Sequence, residues 1–200
     1  MAATQFILAS ASQSRRRLLE AAGVPFEAVA AAVDEDEVKV ALKAEGATAI
    51  ETAETLAELK AQRISPRFPG ALVLGADQML DCEGRWFDKP PDLAAAAETL
   101  RRLAGREHRL LTAICLLRDG TRIWHHRDEA RLTMRPLSEA FIEAYLAQVG
   151  EAALGSVGAY QLEGLGIQLF SKIDGDYFTI LGLPLLPLLQ VLREHGVIER

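Results

Sequence analysis

Ser10, Ser12 and Ser14 run directly into Arg15, Arg16 and Arg17, so three hydroxyls and three guanidiniums fall around the start of one helix. A helix start leaves backbone N–H groups without partners and carries partial positive charge, and Arg forks onto phosphate oxygens, so the run can grip a phosphate. It reads equally as a Ser-capped, solvated basic turn, a placement that the helix dipole disfavours. Asp77 follows an apolar run at residues 71–74. A carboxylate at the end of a buried strand can take a proton, hold a metal or merely close a turn. Asp34, Glu35, Asp36 and Glu37 read as a solvated loop or as part of a divalent-cation site. Lys60 and Lys89, taken singly, are ordinary surface cations.

The elements that must position these groups follow from periodicity and punctuation. A short apolar strand at residues 6–8 feeds a helix over residues 12–22 that stops at Gly23 before Pro25, which puts the basic run at the strand's carboxyl end. Residues 51–64 form a second helix carrying Lys60, ended by Ser65-Pro66. Residues 71–74 form a strand buried on both faces, with Asp77 just beyond it. Asp81-Cys82-Glu83-Gly84 reads as a hairpin turn, and Asp92 caps an Ala-rich helix ending near Gly105. Strands at 108–117 and 121–126 join through Asp119-Gly120, and a helix opens at Ser138 and closes at Gly150. Strand-like segments at 160–173 and 177–181 precede a closing apolar helix at 184–194. The pattern is α/β with antiparallel additions: a mixed twisted sheet, flanking helices and a second lobe, all within one domain over residues 1–200.

Bulk properties narrow the chemistry. Half of the 200 residues are hydrophobic, enough for one sizeable core, and the net charge of −6 argues against broad attraction to nucleic acid or an anionic membrane. No signal segment and no run of eighteen apolar residues is present, so a soluble, cytoplasmic protein is expected. Cys82 and Cys115 are too few for a disulfide framework and are expected to be reduced. His108, His125, His126 and His195 have no metal-ligand spacing. Ser10, Ser12 and Ser14 lack a Gly-x-Ser-x-Gly elbow. Trp86, Trp124 and Tyr160 could stack on a base but lie in apolar surroundings that suit a core.

Four separated blocks occur in order: Leu8-Ala9-Ser10 with Arg15-Arg16; Gly75-Ala76-Asp77-Gln78 with Lys89-Pro90; Gly105 through Thr112-Ala113; and residues 156–164 with Gly175-Asp176-Tyr177 and Gly182-Leu183-Pro184. Together they resemble the Maf family, over about residues 7–188. The resemblance implies an inosine triphosphatase-like fold, nucleoside triphosphate pyrophosphatase activity, a divalent metal, Mg²⁺ or Mn²⁺, and a homodimer. By matching position it implies that Asp77 is the proton acceptor and that Lys89 is the Lys of the Lys-Pro block. Ser10, Arg15, Glu35 and Lys60 match further polar site positions: Ser10, Arg15, Lys60 and Lys89 as substrate contacts, Glu35 and Asp77 as metal ligands. The family's first block commonly reads Ser-Pro followed by Arg or Trp, whereas Gln13 and Ser14 stand here.

Base choice turns on Gln78 and Glu163, with Ser14 at the entrance. Members acting on dTTP and UTP carry Thr after the catalytic Asp and Gln in the later block; this chain has neither and resembles the type that hydrolyses 7-methyl-GTP. A carboxylate complements the guanine N1 and N2 donors and a base made cationic by methylation, but offers no donor to thymine or uracil carbonyls. The expected reaction is hydrolysis to a monophosphate and pyrophosphate, clearing non-standard or modified nucleotides. The alternative that the resemblance also implies is a nucleotide-binding regulator of cell division without essential turnover. A nucleic-acid module built on Arg15 to Arg17 is the weakest reading, since no extended basic face accompanies them.

Overall fold

The computed structural model describes residues 4–199. Along the chain, β1 (Phe6–Leu8) leads to α1 (Gln13–Ala21), β2 (Glu27–Ala28), α2 (Glu35–Ala44), α3 (Ala49–Ile64) and β3 (Leu72–Cys82). There follow β4 (Arg85–Phe87), α4 (Leu93–Leu103), β5 (Glu107–Arg118), β6 (Thr121–Met134) and α5 (Glu139–Val149). After two 3-10 turns come β7 (Phe170–Asp174), α6 (Tyr177–Ile180) and α7 (Leu185–Glu194). The seven strands take the order β2-β1-β3-β5-β6-β7, with β4 also on β3. β1 is parallel to β2 and β3, while β4 and β7 run antiparallel to their partners, so the sheet is mixed, as expected of the α/β reading.

The chain divides into two compact units. The first comprises the segment ending at Gln78, Thr112–Asp128 and the segment beginning at Tyr177. It is built around a buried cluster that includes Phe6, Leu8 and Leu19 of the β1–α1 unit, Leu72 and Leu74 of β3, Ile114 and Leu116 of β5, and Leu188 and Leu192 of α7. The second comprises Met79–Leu111 and Glu129–Asp176, with Leu100, Leu103, Leu132 and Ile142 among its buried side chains.

Local chemistry explains the boundaries. Ser12, Asp34, Asp92 and Ser138 cap α1, α2, α4 and α5 with side-chain oxygens, and Thr48 and Glu51 form a reciprocal capping box at α3. Glu83-Gly84 and Asp119-Gly120 make two-residue hairpin turns, all four residues at positive φ. Cys82 and Cys115 are both buried free thiols. Among the described residues no helix is long and apolar enough to cross a membrane.

Three sequence expectations are corrected. Asp77 lies inside β3, because the strand continues through buried residues to Cys82 and pairs with β4, where periodicity alone suggested an end near Leu74. The acidic run is not a loop: Asp34 is the cap and Glu35, Asp36 and Glu37 form the first turn of α2, where the dipole favours acids. Residues 177–180 are a helix rather than a strand, since the Thr179 hydroxyl and carbonyl are engaged by Asp128, Gln78 and Thr112, and residues 160–169 are turns leading into β7.

Candidate functional site

Within the first unit, five of the predicted site residues converge. α3 packs so closely on β3 that a Cβ at Gly75 would lie 1.9 Å from the Ala57 carbonyl oxygen, and this approach brings Lys60, one turn further along α3, to Asp77. The Lys60 ammonium donates to Asp77 Oδ1 at 2.5 Å and pairs with Glu35 Oε1 at 2.7 Å. Glu35 reaches it from the first turn of α2, so one cation joins carboxylates from two elements. Asp77 is 4% exposed and Lys60 7%.

Arg15 turns inward from the first turn of α1 and is buried, whereas Arg17 is exposed and Arg16 half-buried. Its Nε donates to the Gly182 carbonyl at 2.8 Å, and its Nη1 donates to the Ala76 carbonyl at 3.0 Å and to Ser10 Oγ at 3.1 Å. Ser10 Oγ also accepts from the Ser12 backbone N–H at 3.2 Å, which ties the β1–α1 turn to the guanidinium. Ser12 is the cap that the sequence suggested, and of the three guanidiniums only that of Arg15 is buried.

These charges act on one another. Burial pushes the Asp77 carboxyl above its ordinary range, opposed by Lys60 and Arg15 and assisted by Glu35. Desolvation works against the Glu35 carboxylate, yet Lys60, Lys39 and Arg15 hold it below its usual range. Burial lowers the Arg15 guanidinium, with Asp77 and Glu35 pulling it back up. A raised carboxyl facing fixed cations can hold and release a proton, and the cations can steady an anion beside it.

Asp77 and Glu35 already share a cation, and their oxygens are the donors that Mg²⁺ prefers. Among the described residues no group of three or more His, Cys, Asp or Glu is arranged to hold a metal. Two carboxylates by themselves would leave most of the coordination positions of such an ion to other oxygen ligands.

The other predicted residues are placed as follows. Ser14 is half-buried in the first turn of α1. Gln78 points its amide nitrogen at Thr112 Oγ1 (2.9 Å) and at the carbonyls of Thr179 (2.9 Å) and Ile180 (3.3 Å), so its donors are committed to the protein. Lys89 and Glu163 belong to the second unit, both exposed, Lys89 between β4 and α4 and Glu163 in the turns before β7. Tyr160 is buried and Trp124 packs against the core of the first unit, as their apolar surroundings suggested. Sequence reasoning missed Asp128 and Thr179 and gave Thr112, quoted in the third block, no role; the three gather on Gln78 and α6. Thr112 carried a signal, a hydroxyl within a strand otherwise buried and apolar from Leu110 to Leu117.

Comparison with known proteins bears on the family. A nucleoside triphosphate pyrophosphatase of Granulibacter bethesdensis is 58% identical over 191 residues, covering 96% of this chain and 97% of that protein. A 7-methyl-GTP pyrophosphatase of Rhizobium etli is 55% identical over 195 residues, 98% of each chain. A solved nucleoside-triphosphatase, a dITP/XTP pyrophosphatase from Mycobacterium abscessus, aligns with 64% of this chain and 73% of its own at 19% identity and a TM-score of 0.35, too slight a likeness to bear on this chain's parts. The family model described as Maf-like protein matches residues 5–195, and with relatives of this identity and coverage the chain belongs to the Maf-like protein family.

Proposed function

We propose that this chain is a nucleoside triphosphate pyrophosphatase, one catalytic domain that hydrolyses its substrate to a nucleoside monophosphate and pyrophosphate. The observation that carries the reading is the buried Lys60 ammonium shared by Asp77 and Glu35, with the Arg15 guanidinium locked alongside by Ser10 and two carbonyls. Relatives named nucleoside triphosphate pyrophosphatase, at 57 and 58% identity, support it.

In this mechanism Asp77 orients a water at the α-phosphorus and takes its proton. The new phosphorus–oxygen bond forms as the bond to the bridging oxygen breaks, and pyrophosphate leaves with that electron pair. Arg15 has five N–H donors; three are held by the protein, and the other two grip phosphate oxygens together with Ser10 and the start of α1. The two cations and two carboxylates of the cluster cancel formally, so a triphosphate calls for added positive charge. Mg²⁺ or Mn²⁺ held by Glu35 and Asp77 would supply it on the phosphate oxygens. The family resemblance assigns Lys89 as a further substrate contact. Because burial raises the Asp77 carboxyl, activity should fall with acid above the pH at which an ordinary Asp would protonate.

For the base, we favour 7-methyl-GTP. The Gln78 carbonyl oxygen is an acceptor suited to guanine N–H donors, the family resemblance assigns Glu163 and Ser14 to base choice, and relatives of 54 to 55% identity bear the name 7-methyl-GTP pyrophosphatase. The test offers 7-methyl-GTP, GTP, dTTP and UTP side by side with Mg²⁺ and measures pyrophosphate release by the parent and by Asp77→Asn. Highest turnover on 7-methyl-GTP is expected, with a loss of about 10²- to 10⁴-fold in Asp77→Asn and nucleotide affinity kept. Undiminished turnover in Asp77→Asn removes its assigned role, and a preference for dTTP removes the base assignment alone.

A further inference from the structure

The carbonyl that holds Arg15 Nε belongs to Gly182, and what fixes that carbonyl is a polar knot the reaction scheme has not used. α6 ends in a Schellman arrangement: Gly182 N–H donates to the Thr179 carbonyl at 2.9 Å and Leu183 N–H to the Phe178 carbonyl at 3.0 Å. The turn needs φ +87° at Gly182, a conformation that side chains strain to adopt. A four-residue helix has little stability of its own, so its place must come from tertiary contacts.

Those contacts centre on Thr179. Its carbonyl accepts from Gln78 Nε2 at 2.9 Å and from Thr112 Oγ1 at 3.2 Å, in addition to the Gly182 N–H. Its hydroxyl donates to Asp128 Oδ2 at 2.5 Å. Gln78 Nε2 also donates to Thr112 Oγ1, which ties β3 to β5 at the same point. Thr112 and Thr179 have no exposed surface, so each hydroxyl is retained against a desolvation cost that a Val would not incur. Three strands thus converge on one turn whose next carbonyl meets the guanidinium.

We propose that Thr112, Asp128 and Thr179 are positioning residues for phosphate binding: they fix the turn at Gly182 and, through its carbonyl, the plane of the Arg15 guanidinium. The inference rests on Arg15 gripping the triphosphate. Thr112→Val keeps the volume and removes the hydroxyl; Thr112→Ser restores it. Asp128→Asn loosens the knot from its other side.

Inorganic tripolyphosphate binding, measured by calorimetry on the full chain, reads the effect without a base or turnover. Thr112→Val should weaken binding about tenfold and raise KM by a similar factor with a smaller change in kcat, Thr112→Ser should bind within about twofold of the parent, and Asp128→Asn should follow Thr112→Val. In an Arg15→Ala background Thr112→Val should add less than about twofold, because its effect passes through Arg15. Parent-like binding by both Thr112→Val and Asp128→Asn, or an undiminished Thr112→Val effect without Arg15, overturns the proposal. Arg15→Ala with parent affinity instead overturns the phosphate role of Arg15 itself. Should Arg15→Ala fail to fold, the contrast between Thr112→Val and Thr112→Ser decides.

Discussion

In the unit that carries Arg15, Lys60 and Asp77, three ionisable side chains are buried to 8%, 7% and 4% exposure, and each meets carbonyls or opposite charge. In the unit that carries His108 and Tyr160, these two buried side chains form a neutral pair, His108 Nε2 and Tyr160 Oη lying 2.8 Å apart beside the Phe170 ring. Burying an ion costs several kcal/mol before any pairing is counted, whereas burying a neutral pair costs only what its hydrogen bond fails to return. Asp81, in the second unit, is buried too, but it accepts from the Gly84 N–H of a hairpin turn and from half-exposed Arg109, a structural duty. The concentration of paired ions in one unit marks where the molecule has traded stability for charge at fixed positions, and the neutral pair marks ordinary architecture.

The largest effect on stability should come from removing the shared cation. Lys60→Met keeps the aliphatic stem but leaves the Asp77 and Glu35 carboxylates facing each other without the ammonium, a loss of about 3 to 5 kcal/mol at neutral pH in chemical denaturation. The loss should shrink in acid, where Asp77, already raised by burial, takes up a proton and no longer needs a counter-charge. A neutral-pH loss below 1 kcal/mol would erase the contrast between the units.

His108 should show the opposite dependence on pH. Desolvation lowers its imidazole from 6.5 to about 4. Between those values the unfolded chain binds the proton that the folded chain refuses, so stability is full above the unfolded value and is lost as the pH falls from 6.5 through 4, by up to about 3 kcal/mol. His108→Gln retains a hydrogen-bonding group for Tyr160 and does not titrate in this range. Denaturation midpoints measured across this window should therefore fall less steeply with acid in the variant, and equal slopes would show that His108 is not the group responsible.

Much of this was legible before the fold was known, for reasons that differ by residue. Caps at Ser12, Asp92 and Ser138 and the turns at Glu83-Gly84 and Asp119-Gly120 are short-range events, decided within four residues, and the sequence alone located them. The end of β3 was not local: continuation past Leu74 depends on β4 pairing back from Arg85–Phe87, which no window around Asp77 contains. Glu35 drew notice for its charge, but its meeting with Lys60 depends on where α2 and α3 lie in space. Residues 177–180 carry Tyr, Phe, Thr and Ile, all strand formers, and became helical because Gln78, Thr112 and Asp128, distant in sequence, engage Thr179. Family resemblance, not spacing, brought Lys60 and Asp77 together in advance.

The smallest effect should belong to charges that are paired but exposed. Arg127 on β6 forms a two-bond pair with Glu54 on α3, and Arg122 pairs with Glu58 one turn along at 2.6 Å. The geometry rivals that of Lys60, yet the Arg127 side chain is 49% exposed, so water already solvates most of what the carboxylate offers. Arg127→Ala should therefore cost less than about 1 kcal/mol, leave turnover within about twofold of the parent, and lose much of even that difference in about 1 M salt, where exposed pairs are screened. Most of the Lys60→Met effect should persist in the same salt, because Lys60 and Asp77 are buried; only the share due to Glu35, whose side chain is 41% exposed, should be screened. If the two variants respond to salt alike, burial is not what distinguishes the Lys60 cluster from the surface pairs, and the reading of that cluster as a site built at the expense of stability fails with it.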